Sequence, residues 1–558
     1  MRTVEILIRD LENLATKASV FNKKNYKYPH NEIEALWQDI CLCQFHDVLP
    51  GSCIEKVYKE DVWPMLTKVI EKEYILINKA LDALSITTNI DKQNVDKIDS
   101  LTKLNYLPWQ RFQVVDVTKS EPQAATVSQV PKALIGASQS EKYLAFEGDS
   151  AMTPIAADKI KFPSSLEKTK DGLYVLENGK LKATINKDGV VVSLIDLVNN
   201  REVIDTKNEK IPGGNQFVMF SDTPLNFQAW DTELYSLGKY KLVGEASKVE
   251  ILESGPLVSS LKVEHALSKT SVITTIISLD AVNDDNQTSF LKFDCHVEWQ
   301  ETYKFLKVQF PVPIIQEYAS YETQFGITKR PTHFNTSWDV AKFECCGHKF
   351  IDYSDFNYGV SILNNNKYGG SVHGGLMTLS LLRAPKYPDA HADLGEHHFQ
   401  YAILPHTGPL GVETVRAGWE FNERLETVFA TPAVSTEAEK LLSDANSLVS
   451  ISGDSNLILS NIKRGEDDFD VADEGCLMDK LPKKHTGHQT LILRVYESLG
   501  GSSKAKIHVS VPVKAVYKVN GLEEEIEELE VTDEVGGGGQ FEFVSRGFEI
   551  LGFRVVLA

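Results

Sequence analysis

The sequence lacks most features that would place a protein quickly. It holds no run of about 18 apolar residues, so no membrane span is expected. No long Lys/Arg run stands out, which argues against a nucleic-acid surface. No repeat of fixed period is visible. Cysteine is scarce: seven in 558 residues, at Cys41, Cys43, Cys53, Cys295, Cys345, Cys346 and Cys476. The number is odd and no zinc-ribbon spacing occurs, which points to a reducing compartment. The opening Met1-Arg2-Thr3-Val4-Glu5 interrupts its apolar positions with charges and does not read as a secretory leader.

What is there is ordinary for a globular chain. Hydrophobic residues make up 42% and charged residues 24%. The length predicts about three to five domains. A net charge of −20 favours a neutral or small partner and names no function.

The apolar period divides the chain. Val4, Leu7, Ile8, Leu11, Leu14 and Ala15 recur at helical spacing, as do Ile33, Leu36, Trp37 and Ile40 after the Pro29–Asn31 break. A third helix is predicted from about Ile54 to Leu84, with Pro64 kinking it or marking its first turn. Leu104–Val117 reads as a strand, and Thr118 to about Pro163 as irregular chain with a strand at Val130–Ile135. From Gly172 onward the period is mostly two. Asn178-Gly179 and Asp188-Gly189 are hairpin signals, and Leu306, Val308 and Phe310 alternate with polar residues. Gly536 to Gly539 reads as a flexible hairpin loop rather than a phosphate cradle, because a strand follows it. The fold class expected is α+β and multidomain: an N-terminal helical bundle followed by antiparallel β-sandwich domains. The boundaries are 1–88 for the bundle, 89–165 for a linker and small β domain, 166–430 for a large sandwich, and 431–558 for a C-terminal sandwich.

The most informative segment is Gln44-Phe45-His46-Asp47-Val48-Leu49-Pro50-Gly51-Ser52. An imidazole and a carboxylate stand side by side where a helix ends and a Pro-Gly turn begins. Taken blind, such a pair is usually structural, since catalytic zinc wants three protein ligands. This segment resembles the Q-F/H-H-D-x-x-x-G-S/T element of the class II α-mannosidases, glycoside hydrolase family 38, in its cytosolic/vacuolar branch. Further stretches are similar in order: Asn105-Tyr106-Leu107-Pro108-Trp109, Gly214-Asn215-Gln216-Phe217-Val218 with Ala229-Trp230-Asp231, Arg330-Pro331-Thr332-His333-Phe334-Asn335-Thr336-Ser337-Trp338-Asp339, and Ser380-Leu381-Leu382-Arg383-Ala384-Pro385-Lys386.

The resemblance implies a zinc-ligand role for His46 and a sugar-hydroxyl role for Asp47, with Zn2+ as cofactor. Zinc holds imidazole well and can grip a vicinal diol. The family's other zinc ligands, its nucleophile and its acid/base carboxylate belong to an upstream α/β domain with no counterpart here, so this chain is expected to lack most of the N-terminal catalytic domain. The one H-x-D, His391-Ala392-Asp393, reads as a polar loop or as a second metal site. Arg383, among apolar neighbours, is either paired in the core or pointed at substrate. Trp338-Asp339 could offer an aromatic face beside a carboxylate or fill a sandwich core. Asn226-Phe227-Gln228 departs from the family's pattern, with an amide where a carboxylate is usual, and Gly547 stands where proline is usual.

The implied function is the C-terminal portion of a retaining, zinc-dependent α-mannosidase of oligosaccharide breakdown, inactive as an isolated chain. The alternative is a non-catalytic carbohydrate-binding or scaffold protein. Expected partners are a mannose-containing oligosaccharide and either further copies of the chain or a separate catalytic half; neither nucleic acid nor membrane is expected. The branch points to cytoplasm or vacuole.

Overall fold

A computed structural model describes residues 1–84, 100–116, 142–149, 151–208, 210–423, 426–430, 448–468, 484–533 and 537–558. The chain forms two compact units. One comprises Met1–Phe45, Asp61–Ile155 and Arg424–Ala558; the other comprises His46–Glu60 and Ala156–Glu423. No helix among the described residues is long and apolar enough to cross a membrane.

The helical unit begins with α1 (Arg2–Phe21) and α2 (His30–Cys43). The expected third helix is not continuous. A short α3 (Glu55–Val57) passes through a π-turn at Tyr58–Val62 into α4 (Trp63–Ala83). Pro64 has no N–H to give to a regular helix, and the wider turn just before it takes up the mismatch. The apolar stripes meet as predicted: Leu7, Ile8, Leu11 and Ala15 of α1 share a core with Ile33, Leu36 and Ile40 of α2 and Val69, Ile77, Ala80 and Leu81 of α4.

Two strands, Ser100–Leu104 and Arg111–Asp116, replace the single strand expected over Leu104–Val117. The cause is Asn105, whose amide donates to the carbonyls of Trp109 (2.8 Å) and Asp149 (2.9 Å) while its oxygen accepts from the Leu107 N–H at 3.1 Å. A side chain that binds its own following backbone offers the chain a loop in place of a ladder. Strands Tyr143–Gly148 and Ala151–Ile155 also stand where irregular chain was expected; Val130–Ile135 lies outside the described residues. Glu426–Ala430, assigned by sequence to the large sandwich, pairs with Ser100–Leu104 and so belongs to this small sheet. The rest of the unit is a C-terminal sandwich of a four- and a five-stranded sheet around Leu493, Val495, Ile507, Phe541 and Phe553. In it, Gly547 has backbone pressed against it: an added Cβ would meet the Gly500 carbonyl oxygen at 2.6 Å.

The sandwich unit contains antiparallel sheets of five, six and nine strands. The expected hairpins form at Gly179 (φ +74°) and Gly189 (φ +70°), where glycine accepts the left-handed backbone without a Cβ penalty. Phe293, Trp299, Phe310, Tyr353 and Tyr401 anchor one shared core. Phe293 and Tyr401 stack with centroids 5.0 Å apart.

Glu73 interrupts the apolar stripe of α4. It is 0% exposed, and neither carboxylate oxygen has a hydrogen-bond partner among the described residues. Burial first, and the Asp10 charge second, push this carboxyl up to about 9. A folded pKa above the unfolded value of about 4.3 means that stability is fullest below that value and declines as pH rises toward the folded one. Glu73→Gln should therefore stabilise the unit, by at most about 3–4 kcal/mol at neutral pH. The gain should shrink toward zero near pH 4.5. Denaturant unfolding of parent and variant from pH 4.5 to 8.5 checks this; a pH-independent gap would show that Glu73 does not titrate as described.

Candidate functional site

After α2 the chain enters a turn that belongs to the sandwich unit. Gly51, at φ +80°, donates its N–H to the Val48 carbonyl at 3.2 Å. Ser52 closes the turn twice, its N–H reaching the Asp47 carbonyl (3.1 Å) and its hydroxyl the Asp47 Oδ1 (3.0 Å). The Tyr58 hydroxyl donates to the Val48 carbonyl at 3.0 Å. Asp47 is thus fixed by both its backbone and its carboxylate. The His46 side chain is 78% exposed, with Nε2 lying 3.5 Å from Asp47 Oδ2.

A second segment reaches the same carboxylate. Trp230, 183 residues further along, directs its indole N–H at Asp47 Oδ1 over 3.4 Å. Trp230 sits on a tight turn in which its own N–H and that of Asp231 both bond the Phe227 carbonyl at 2.8 Å, with Phe227 at φ +48°. The Phe227 and Trp230 rings meet edge to face at 6.5 Å, and both are exposed. An exposed indole beside a fixed carboxylate and a solvent-facing imidazole is a surface suited to a sugar: apolar ring faces can lie on the aromatic plane while hydroxyls donate to Asp47.

Arg383 holds that turn in place. It ends the strand Leu376–Arg383 and packs 5.7 Å from the Phe305 ring centroid. Its Nε donates to Asp222 Oδ2 at 2.8 Å, and its terminal nitrogens donate to the carbonyls of Gln228 (3.1 Å), Ala229 (3.5 Å) and Asp231 (2.6 Å). The sequence left Arg383 between a core pairing and a substrate contact; its donors lie on Asp222 and on the loop backbone. The physical reason is Asp222, 1% exposed, whose charge needs a partner once out of water. Gln228 also serves the scaffold: its Oε1 accepts the Lys386 N–H at 3.0 Å and its amide lies 3.5 Å from the Tyr303 hydroxyl.

Trp338 does not fill a sandwich core, one of the two places its sequence setting allowed. Trp338 is 78% exposed, and Asp339 completes a capping box with Thr336 at a short helix. An aromatic–carboxylate pairing also occurs at Trp230 and Asp47, which sequence separation concealed. The His391-Ala392-Asp393 pair does not act as a unit: His391 gathers with Glu55 and Asp389, its Nδ1 3.4 Å from Glu55 Oε2. Lys59 binds the other Glu55 oxygen and is the main cause of that carboxyl lying below its ordinary range, so the trio reads as a compensated surface ion cluster. Among the described residues the other grouping of three such side chains is His296, Glu298 and Glu396, all exposed; His46 belongs to neither.

Comparison with known proteins adds the following. The family model described as "Alpha mannosidase middle domain" matches residues 1–84, "Glycosyl hydrolases family 38 C-terminal domain" matches 176–391, and "Glycosyl hydrolases family 38 C-terminal beta sandwich domain" matches 480–553. An "Alpha-mannosidase" of Saccharomyces cerevisiae is 41% identical over 100% of this chain and 46% of its own length. "Alpha-mannosidase 2C1" of Homo sapiens is 31% identical over 94% of this chain and 45% of its own. The chain thus spans about half the length of the curated relatives it matches. A solved α-mannosidase from Enterococcus faecalis shares the fold at a TM-score of 0.69 and 15% identity, covering 98% of this chain and 66% of that one.

The Arg383–Asp222 geometry generates a test. Arg383→Met should cost the sandwich unit about 3–5 kcal/mol, because it strands a buried carboxylate. Arg383→Met/Asp222→Asn should recover part of that loss but leave the 227–231 turn without its carbonyl donors. Denaturant unfolding measures the first effect, and iodide quenching of Trp230 fluorescence in a variant with the other exposed tryptophans replaced measures the second. Equal stability of the single and double variants would remove the ion pair from this account.

Proposed function

From the premise that this chain belongs to glycosyl hydrolase family 38, whose middle and C-terminal domains it carries, we propose that it forms the sugar-binding side of a zinc-dependent, retaining α-mannosidase acting on mannose-containing oligosaccharides. The observation that carries the reading is the convergence of His46, Asp47 and Trp230 on one exposed surface.

The donor types fit zinc; their number does not complete a site. His46 offers an imidazole that reaches solvent, and Asp47 an oxygen beside it, whereas a catalytic zinc takes about three protein ligands. His46 would hold one corner of the ion, and further ligands would come from outside this chain, either from the remaining length that the relatives have or from a separate catalytic half. When bound, zinc would supply a Lewis-acidic grip on vicinal hydroxyls. Asp47, oriented by Ser52 and Trp230, accepts hydrogen bonds from sugar hydroxyls. Trp230 offers a ring face that excludes water from one side of the sugar. Retaining chemistry needs two carboxyl groups about 5 Å apart across the glycosidic bond, and we assign neither to a residue of this chain. Residues 1–558 alone are therefore expected to bind sugar weakly and to turn over no aryl α-mannoside.

The test uses the 558-residue chain, alone and completed with the catalytic domain of a close relative. In the completed enzyme His46→Ala should remove zinc and turnover together while the fold persists, since His46 lies outside every core cluster. Asp47→Asn should keep zinc and lower kcat by about 100-fold or more, because a carboxamide accepts hydrogen bonds less strongly than a carboxylate. Metal content and rate are read on the same preparations. Full zinc and normal turnover in His46→Ala would overturn the metal role. Robust hydrolysis by residues 1–558 alone would overturn the expectation that the reacting carboxylates lie elsewhere.

A further inference from the structure

Near the centre of the nine-stranded sheet, the strands Leu291–Trp299 and Gly395–Thr407 pair antiparallel. Side chains alternate between the two faces of a strand, and the outward set on this pair forms three opposed rows: Asp294 with Gln400, His296 with His398, and Glu298 with Glu396. Asp294 is already answered. Its Oδ1 lies 2.5 Å from His398 Nε2, and its Oδ2 accepts from the Gln400 amide at 2.9 Å. His296, Glu298 and Glu396 remain, all exposed, each offering a ligand atom within 4.8 Å of the other two.

Glutamate directly opposite glutamate is an exception in this molecule. Among the described strand pairings it is the one register position where two carboxylates face each other. Where other acids stand opposite a charged residue, that residue is basic: Glu177 faces Lys182, Glu264 faces Lys248, and Glu542 faces Lys506. Like charges directly opposite destabilise a ladder. No cation offsets them here. Neither glutamate forms an ion pair with a described residue, and the strand on the other side places Thr274 opposite His296 and Val272 opposite Glu298. This separates the trio from the Glu55–Asp389–His391 cluster, where Lys59 balances the charge. A solvated surface accounts for one exposed glutamate, but not for two in register with an imidazole nitrogen near both. One nitrogen and two carboxylate oxygens on a rigid sheet make a donor set suited to a divalent transition ion. Donors bound about 2 Å from one zinc ion stand roughly 3–3.5 Å apart, so rotations of about 1–1.5 Å by exposed side chains close the site.

We propose that His296, Glu298 and Glu396 bind a zinc ion on the outward face of this sheet, with water in the remaining positions. The ion offsets the repulsion between the two carboxylates. It also clips together two strands that lie about a hundred residues apart in sequence, where closing a long loop restricts the unfolded chain. The site is independent of the His46–Asp47–Trp230 surface and of the reading given to it.

The experiment is titration calorimetry with zinc on the metal-free 558-residue chain, beside thermal unfolding with and without the ion. The parent should show a zinc-binding event that His296→Ala weakens about tenfold or more, as should Glu298→Gln/Glu396→Gln, since losing even an outer partner costs a metal site that much. Zinc should raise the Tm of the parent more than that of either variant, because an ion that binds the folded state stabilises it. The three side chains are exposed, so the metal-free variants should unfold at the parent Tm. His398→Ala, His391→Ala and His46→Ala should keep the event: His398 is committed to Asp294, and the other two lie outside the trio. Magnesium, which takes oxygen donors, should not reproduce it. Equal zinc affinity in parent and His296→Ala would overturn the proposal. So would loss of the event in any of the three control variants, or an equal response to magnesium.

Discussion

Asp222 carries a carboxylate that is 1% exposed, and Arg383 is what makes that burial tolerable. Much of the candidate surface in the sandwich unit follows from that pairing. A planar guanidinium bound through Nε to a buried carboxylate must aim its remaining donors in a fixed direction. Here that direction is the turn at 227–231, whose carbonyls of Gln228, Ala229 and Asp231 point inward to meet it. With its carbonyls turned in, the turn presents Phe227 and Trp230 outward. Strand pairing fixes Arg383 itself, opposite Phe305, and its own carbonyl accepts the Trp299 indole N–H at 2.9 Å. A core tryptophan, a strand end, an ion pair and an exposed indole thus form one connected chain of constraints.

The polar work at the surface is arranged by the same economy. Asp47 could rotate freely in a turn of this kind, but Ser52 and Trp230 both engage Oδ1 and leave Oδ2 toward His46. A carboxylate held in this way loses little freedom on meeting a hydrogen-bond donor, and preorganisation of that sort lowers the entropic cost of binding. The imidazole is different. His46 remains solvent-facing, with its side chain 78% exposed.

Charge is distributed unevenly for physical reasons. A net charge of −20 is carried mainly by exposed carboxylates, many of them beside lysines as in the Lys504 and Lys506 pairing with Glu542. Such exposed pairs contribute little stability because water screens them. The consequential charges are the departures: a buried Glu73 whose carboxylate oxygens have no hydrogen-bond partner among the described residues, and a buried Arg464 clamped by Asp468. Each is a place where local electrostatics cost something unless another group answers.

Sequence alone determined the element types and the identity of the key turn. The 3.6-residue stripe of Val4, Leu7, Ile8 and Leu11 and the period of two around Leu306, Val308 and Phe310 are short-range patterns, and short-range sterics and one-sided burial are enough to select helix or strand from them. Asn178-Gly179 and Asp188-Gly189 placed hairpins because glycine alone takes the left-handed backbone cheaply. His46-Asp47 and the Pro-Gly turn beyond them were likewise legible, since adjacent residues need no fold to bring them together. Tertiary structure decided the rest. It split Leu104–Val117 through the Asn105 side chain, joined Glu426–Ala430 to a sheet more than three hundred residues upstream, turned Arg383 inward onto Asp222, and carried Trp230 across 183 residues to Asp47. Those outcomes depend on which carboxylate is buried and which strand edge is left to pair. Both are settled by long-range packing, whose energy no local window of residues contains.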